Sequence, residues 1–279
     1  MSAPGRVLLG ESLDVLASLP DGSVDLIYVD PPFNTGKTRS HARIRVRASA
    51  DGTRTGFGGR SYAVTQGVTR SYEDAFDDYS AWLEPRLAEA RRVLVQHGSL
   101  YLHLDYREVH YCKVMLDRVF GRKNFVNEII WAYDYGGRGA RRWPAKHDNI
   151  LFYARDATKH VFNIDEIERI PYMAPGLVTP EKAERGKLPT DTWWHTIVPT
   201  NGSERTGYPT QKPLGIVSRV VRASSPPGGL VLDFFCGSGT TAVAAHQAGR
   251  RFLVADASEE AITVTSRRLE NLAIPYSPD

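Results

Sequence analysis

Short apolar runs alternate along the chain with stretches whose apolar residues recur at helical spacing. "RVLLG" (6–10) stops at a glycine, and "ESLDVLASLP" then predicts a short helix ended by Pro20. "VDLIYVD" (24–30) predicts a buried strand. "SYEDAFDDYSAWLEPRLAEARRVLVQHG" (71–98) places Tyr79, Trp82, Leu83, Leu87 and Ala90 on one helical face. A strand follows in "SLYLHLD" (99–105), then an amphipathic helix in "REVHYCKVMLDRVFG" (107–121), which ends at glycine. "VNEIIWAY" (126–133) and "HDNILFYAR" (147–155) predict two more strands. Beyond residue 210 the pattern runs helix ("PLGIVSRVVRASS"), strand ("GGLVLDFF", 228–235), helix ("GTTAVAAHQAG", 239–249), strand ("RRFLVAD", 250–256) and helix ("SEEAITVTSRRLENL", 258–272). Strands separated by helices predict an α/β layer fold with a largely parallel sheet, and no internal repeat interrupts it.

Two segments break the pattern. From Lys37 to Arg70 there are seven arginines (Arg39, Arg43, Arg45, Arg47, Arg54, Arg60 and Arg70) against one acid, Asp51, among Gly, Ser, Thr and Ala. This texture predicts a mobile basic insertion over 38–70, either solubilising or able to meet a polyanion. Residues 156–210 have poor periodicity and many prolines and charges. Overall, 42% hydrophobic residues and a net charge of +3 are those of a globular chain that tolerates a nucleic-acid partner without demanding one. Two cysteines without CxxC or Cys/His spacing predict neither a disulfide framework nor a metal site, and they suit a reducing compartment such as the cytoplasm. The chain start lacks a secretory pattern, and no apolar run is long enough to span a membrane.

The chemistry-bearing residues lie where strands end. "VDLIYVDPPFNTG" closes a strand with Asp30, Pro31, Pro32 and Phe33, either a rigid turn or the wall of a small pocket for something flat. "VLDFFCGSGTT" joins a strand to a helix through Gly237 and Gly239, which suits close approach of a nucleotide-like ligand to free helix N–H groups. Asp256 follows about twenty residues later, at the end of the next strand, where an acid can bind ribose hydroxyls. Neither GxGxxG nor a phosphate-loop motif is present.

These motifs, with "YPTQKP" and "YLHLDYREVHYCKVMLDRVFGRKNFVNEIIW", resemble the β-group amino-methyltransferases of DNA, which use S-adenosylmethionine. Their order here, "DPPF" first and "DFFCGSGTT" last, is the permuted order of that group. The likeness covers nearly all of the chain except 38–70 and parts of 156–195. It implies a Rossmann-like class I methyltransferase fold, one domain over 1–279 with a mostly parallel seven-stranded sheet and one antiparallel strand. It also implies a target-recognition region within 134–205. Phe234 and Ala255 stand where the family usually places proline after the first aspartate and often has Gly-x-Glu/Asp at the second acid, and Glu11 stands where it commonly has aspartate.

Carried over residue by residue, the resemblance assigns catalysis to Asp30, Pro31, Pro32 and Phe33. It assigns the cofactor to Glu11, Asp30, Thr210, Gln211, Lys212, Asp233, Phe234, Phe235, Cys236, Gly237, Ser238, Gly239, Thr240 and Asp256. Asp30 and a Pro31–Pro32 carbonyl would orient an exocyclic amine, while Phe33 stacks on a flipped base. Arg138, Arg141, Arg142, Lys146 and Arg205, with Trp143 among them, are candidate DNA contacts. Trp193 and Trp194 are expected to pack or to touch DNA, and His103 and His147 to serve strand ends. Aspartate at position 30 favours adenine N6; cytosine N4 is the alternative, and a cofactor-fold protein that binds DNA without turnover is a third reading. The partners implied are double-stranded DNA and, by family analogy alone, a second copy in a homodimer and a cognate restriction endonuclease system.

Overall fold

The computed structural model describes residues 5–34, 37–48, 54–55, 61–74, 76–134, 139–199 and 201–278. The chain divides into two compact units, residues 1–33 with 78–279, and residues 34–77.

In the larger unit the strands are β1 (Gly5–Leu9), β2 (Val24–Val29), β6 (Leu94–Leu104), β7 (Phe125–Ala132), β8 (His147–Ala154), β9 (Thr192–Trp194), β10 (Leu230–Asp233), β11 (Arg251–Asp256) and β12 (Tyr276–Pro278); the three strands numbered between β2 and β6 belong to the smaller unit. They form one sheet in the order β12-β1-β11-β10-β2-β6-β8-β7-β9. All neighbours pair in parallel except β8, which runs antiparallel to both β6 and β7. The sequence-based count of seven strands with one antiparallel holds for the central sheet. The structure adds two three-residue edge strands, β9 and β12, too short to leave a periodic signal.

Helices cover both faces: α1 (Ser12–Ala17), α2 (Tyr79–Val93) and α3 (Val109–Leu116) on one, α5 (Leu214–Ser224), α6 (Thr240–Gln247) and α7 (Glu259–Asn271) on the other; α4 (Pro180–Arg185) lies in the irregular middle. Leu26, Tyr28, Tyr101, Val231 and Val254 pack with Ile216, Val220, Val243 and Leu269 to form the core under α5–α7. Asp78 caps α2 by accepting from the Ala81 N–H at 2.9 Å, which fixes where that helix starts. The helical periodicity expected from residue 71 is therefore realised only from Tyr79. The backbone before it, through Asp74, is drawn into strand pairing by a partner about thirty residues upstream.

That pairing makes the smaller unit. In β3 (Lys37–Ala48), β4 (Arg54–Thr55) and β5 (Ser61–Asp74), β3 and β5 form an antiparallel ladder with a register shift between Ala42 and Ile44. The segment expected as a mobile basic insertion thus carries a paired backbone, which its Gly-, Ser- and Thr-rich composition hides. Asn34, at φ 51°, accepts from the Phe76 N–H at 3.1 Å and joins the two ends of this unit.

The sheet order places the site. From β10 the chain proceeds to β11 on one side, and from β2 to β6 on the other. Adjacent strands whose connections diverge leave a crevice at their carboxyl ends, where α/β sheets bind ligands. Asp233 ends β10 and Asp30 follows β2, so both open into that crevice.

Candidate active site and cofactor cradle

Asp30 is mostly buried, and its Oδ2 accepts from the Lys212 ammonium. Its Oδ1 is buried with no hydrogen-bond partner among the described residues. The Lys212 ammonium also lies 4.8 Å from the centroid of the Phe33 ring. Pro31 and Pro32 donate no hydrogen bond and keep the backbone stiff. The Pro32 carbonyl accepts from the Tyr79 hydroxyl at 2.8 Å, which ties the Pro-Pro segment to α2.

Behind Phe33 lies a side-chain network that sequence reasoning missed. The Phe33 and His103 rings are stacked, with centroids 6.1 Å apart and planes 29° apart. His103 is fully buried; its Nε2 is 3.1 Å from Asp148 Oδ2 and its Nδ1 is 2.7 Å from the Tyr28 hydroxyl. Tyr133 donates to the other Asp148 oxygen at 3.0 Å. Burial alone would raise the Asp148 pKa, but the interactions with His103, Lys212 and Tyr133 outweigh it and hold the carboxyl below its ordinary range. An ionised carboxylate only accepts, so the Nε2 that faces Asp148 carries a hydrogen. Burial, and then the charges of Asp30, Asp233 and Asp148, keep the Tyr28 hydroxyl protonated well above the usual phenol range. Sequence reasoning set His103 at a strand end, which is correct; only the partners from β2 and β8 turn it into a support for Phe33.

The glycine-rich turn begins at Asp233, whose carboxylate accepts from the Phe235 N–H at 3.0 Å and the Thr241 hydroxyl at 2.5 Å. Burial first, and then the charges of Asp30 and Asp256, push its pKa up to about 7 against those two hydrogen bonds. Gly237 (φ 50°) and Gly239 (φ 72°) occupy backbone space that L side chains rarely adopt. A Cβ on Gly237 would lie 3.1 Å from the Tyr208 ring, and one on Gly239 would lie 2.7 Å from Thr265. Arg268 braces the turn from beneath, donating to the Ser238 carbonyl at 3.1 Å and to Thr240 Oγ1 at 2.8 Å. Asp256 accepts from the N–H groups of Gly237 and Ser258, each at 2.9 Å, and burial raises its pKa. Phe234 and Cys236 are buried.

The remaining expected cofactor residues divide. Lys212 is joined to the turn, because its carbonyl accepts from Thr240 Oγ1 at 3.2 Å. Gln211 is held by its own loop: its Oε1 accepts from the Thr206 N–H and hydroxyl, both at 2.8 Å, and its amide donates to the Glu204 carbonyl. Thr210 is half-buried. Glu11 caps α1 through the Leu13 N–H at 2.9 Å and pairs with Arg86 at 2.5 Å. Arg86 lies 4.3 Å from the centroid of Trp82, whose ring faces Phe235 at 5.6 Å.

Four of the candidate DNA residues, Arg141, Arg142, Lys146 and Arg205, belong to segments that meet the sheet at the same edge. β7 runs parallel to β6 and β2, so β7 ends and β8 begins at the edge where Asp30 lies. β9, parallel to β7, delivers the 195–210 segment to that edge too. Arg141, Arg142 and Arg205 are exposed and Lys146 is half-buried, while Arg138 lies outside the described residues. The two tryptophans separate: Trp193 is buried, with Arg219 4.8 Å from its ring centroid, and Trp194 is 78% exposed.

A switch-point crevice with two strand-end carboxylates and a glycine cradle defines a nucleoside-cofactor enzyme of the Rossmann-like class. Residues 24–267 match the N6/N4 methyltransferase family described as DNA methylase. A DNA adenine methyltransferase of Escherichia coli K12, YhdJ, is 31% identical over 98% of this chain and 85% of its own length. In fold, the chain is similar to the cytosine-N4-specific PvuII DNA methyltransferase (TM-score 0.65, 15% identity, 96% of this chain and 87% of that one). It is also similar to a putative DNA modification methylase of Thermus thermophilus solved with S-adenosyl-L-methionine (TM-score 0.60, 20% identity, 99% of each chain). The chain belongs to the N6/N4 DNA methylase family and is an S-adenosylmethionine-dependent DNA methyltransferase.

Proposed function

We propose that this enzyme methylates the exocyclic N6 of adenine in duplex DNA, within a specific sequence. The observation that carries the assignment of the reacting centre is the buried Asp30 Oδ1 left without a partner among the described residues, beside the Phe33 ring. A carboxylate oxygen in that position is an acceptor for one N–H of an exocyclic amine, and the neighbouring Pro31 carbonyl is a second. Such an amine is a weak nucleophile, because its lone pair is conjugated with the ring. Two acceptors orient the nitrogen and stabilise the positive charge that develops on it. Phe33, backed by His103, is the stacking face for a base taken out of the duplex.

S-adenosylmethionine, when bound, supplies a methyl group already activated on a sulfonium. Asp233, Asp256 and the backbone of residues 234–240 would hold it: a Cβ at Gly237 would crowd Tyr208, and the buried carboxylate of Asp233 and the half-buried one of Asp256 flank the turn. Lys212 is the cation suited to a carboxylate, and Thr210, Gln211 and Glu11 complete the set carried over from the family. Arg141, Arg142, Lys146 and Arg205, together with Arg138, are the proposed contacts to DNA within a target-recognition region over 134–205.

Adenine is favoured over cytosine by aspartate at position 30 and by the likeness to an adenine methyltransferase. Cytosine N4 is the second reading, supported by the fold of the PvuII enzyme. Incubating the protein with genomic DNA and labelled cofactor, then sequencing for modified bases, separates them. N6-methyladenine at one sequence context supports the proposal, whereas N4-methylcytosine overturns the choice of base. A homodimer and a companion endonuclease rest on family analogy, and the oligomeric state is checked by analytical ultracentrifugation of the free protein.

A further inference from the structure

Trp143 is 95% exposed, although a bare indole in water forgoes the burial that usually places this residue type in a core or an interface. It lies in "RRWP", directly after the exposed Arg141 and Arg142. Pro144 restricts Trp143 to extended conformations. The loop stem is closed by the Tyr133 N–H donating to the Lys146 carbonyl at 2.9 Å. Between Gly139 and Arg142 the chain turns so tightly that a Cβ on Gly139 would lie 2.9 Å from the Arg142 carbonyl oxygen. The loop leaves the sheet at the edge where Asp30 and Phe33 open. An apolar ring flanked by cations, held out at the catalytic edge of a DNA methyltransferase, is the arrangement of side chains that enter a base stack while their neighbours hold phosphates. Trp194 is also exposed on this edge, but its neighbours, Trp193 and His195, offer no such pair of arginines.

We infer that Trp143 is a wedge that enters the duplex and fills the gap left when the target base is taken out, with Arg141 and Arg142 anchoring it on the flanking phosphates. This rests on the reading of the protein as a base-flipping DNA methyltransferase. Stacking of an aromatic side chain on a base is worth roughly 5- to 150-fold in equilibrium terms. Trp143 therefore offsets part of the unfavourable opening of the pair, and its contribution matters only where a pair must be opened.

The test uses two duplexes bearing the methylated site of the unsubstituted enzyme. One is fully paired; the other carries an abasic position opposite the target base, which is then free to leave the stack. Trp143→Ala is expected to lower kcat/KM for methyl transfer by roughly 5- to 150-fold on the paired duplex and to have little effect on the abasic one. Trp143→Phe keeps most of the activity on both. Arg141→Gln with Arg142→Gln, which removes two phosphate-binding charges, is expected to weaken both duplexes alike and to reduce the salt dependence of binding. Unchanged cofactor affinity in Trp143→Ala shows that the fold is intact. An equal loss on both duplexes, or no loss on either, overturns the wedge while leaving the methyltransferase reading in place. Absence of transfer by the unsubstituted enzyme overturns that reading, and the wedge with it.

Discussion

Lys212 places its ammonium on Asp30, 182 positions away in the chain, and the same ammonium lies 4.8 Å from the centre of the Phe33 ring. One cation thus serves both the carboxylate and the ring face at the proposed reacting centre. Replacing it with methionine leaves the Asp30 carboxylate mostly buried without its partner. The loss of a charged hydrogen bond, about 1.5–3 kcal/mol, predicts a fall of roughly 10- to 150-fold in methyl transfer by Lys212→Met, with weaker cofactor binding. Lys212→Arg is expected to restore little, because a planar fork does not replace a compact ammonium between an acid and a ring. Cofactor titration and single-turnover transfer, measured on the same variants, check both points.

Asp30→Ala separates binding from chemistry. Removing an electrostatic partner of the reacting group typically lowers turnover by about 10²–10³-fold. Cofactor affinity is expected to change far less, since Asp233, Asp256 and the glycine turn are untouched. Full activity in single-turnover assays would remove Asp30 from the mechanism.

Asp233 predicts a pH dependence of stability. With its folded pKa at about 7, the native state keeps a proton that the unfolded chain releases near pH 4. The stabilisation from this group is therefore complete below about pH 4, and it declines as pH rises until it is lost above the folded value near 7. Asp233→Asn keeps an acceptor for the Phe235 N–H, turns its amide N–H towards the Thr241 hydroxyl oxygen, and does not titrate. The melting temperature of the cofactor-free protein, taken relative to Asp233→Asn, should fall between about pH 4 and 7. A constant difference across that range would contradict the raised pKa.

His103→Phe preserves ring volume against Phe33 but strips the Tyr28 hydroxyl and the Asp148 carboxylate of their shared partner. A buried Tyr28 hydroxyl left unpaired and an Asp148 carboxylate left with Tyr133 alone predict a loss of about 2–5 kcal/mol in urea unfolding. His103→Gln, which can both donate and accept, should lose less. A Phe variant as stable as the parent would show that water replaces the imidazole without cost.

The basic segment is tested by charge alone. Arg43, Arg45 and Arg47 changed together to glutamine should lower DNA affinity and reduce the slope of log K against log salt by about 0.9 for each phosphate no longer neutralised. The methylated sequence should not change. An unaltered slope would mean that these arginines stay in solvent.

Contiguity in the chain explains what was legible. Asp30 to Phe33 and Asp233 to Thr240 are strand-end segments whose spacing carries their chemistry, and the helices and strands around them follow from apolar periodicity. The ladder of β3 with β5 was not legible, because strand pairing depends on a partner that local composition does not name. The length of the helix expected from residue 71 was misjudged for the same reason.

The order and spacing of residues by themselves determined an α/β sheet, a glycine turn fit for a nucleoside and a rigid acid–Pro–Pro–aromatic turn, because backbone sterics and side-chain periodicity act locally. Only the tertiary structure decided that Lys212 would lie on Asp30, that Tyr28, His103 and Asp148 would support Phe33, and that Trp143 would stand exposed at the catalytic edge. Those relationships join residues far apart in the chain. They arise when sheet order brings the ends of β2, β6, β8 and β10 together, and burial then favours pairing of the polar groups gathered there, Asp30 Oδ1 excepted.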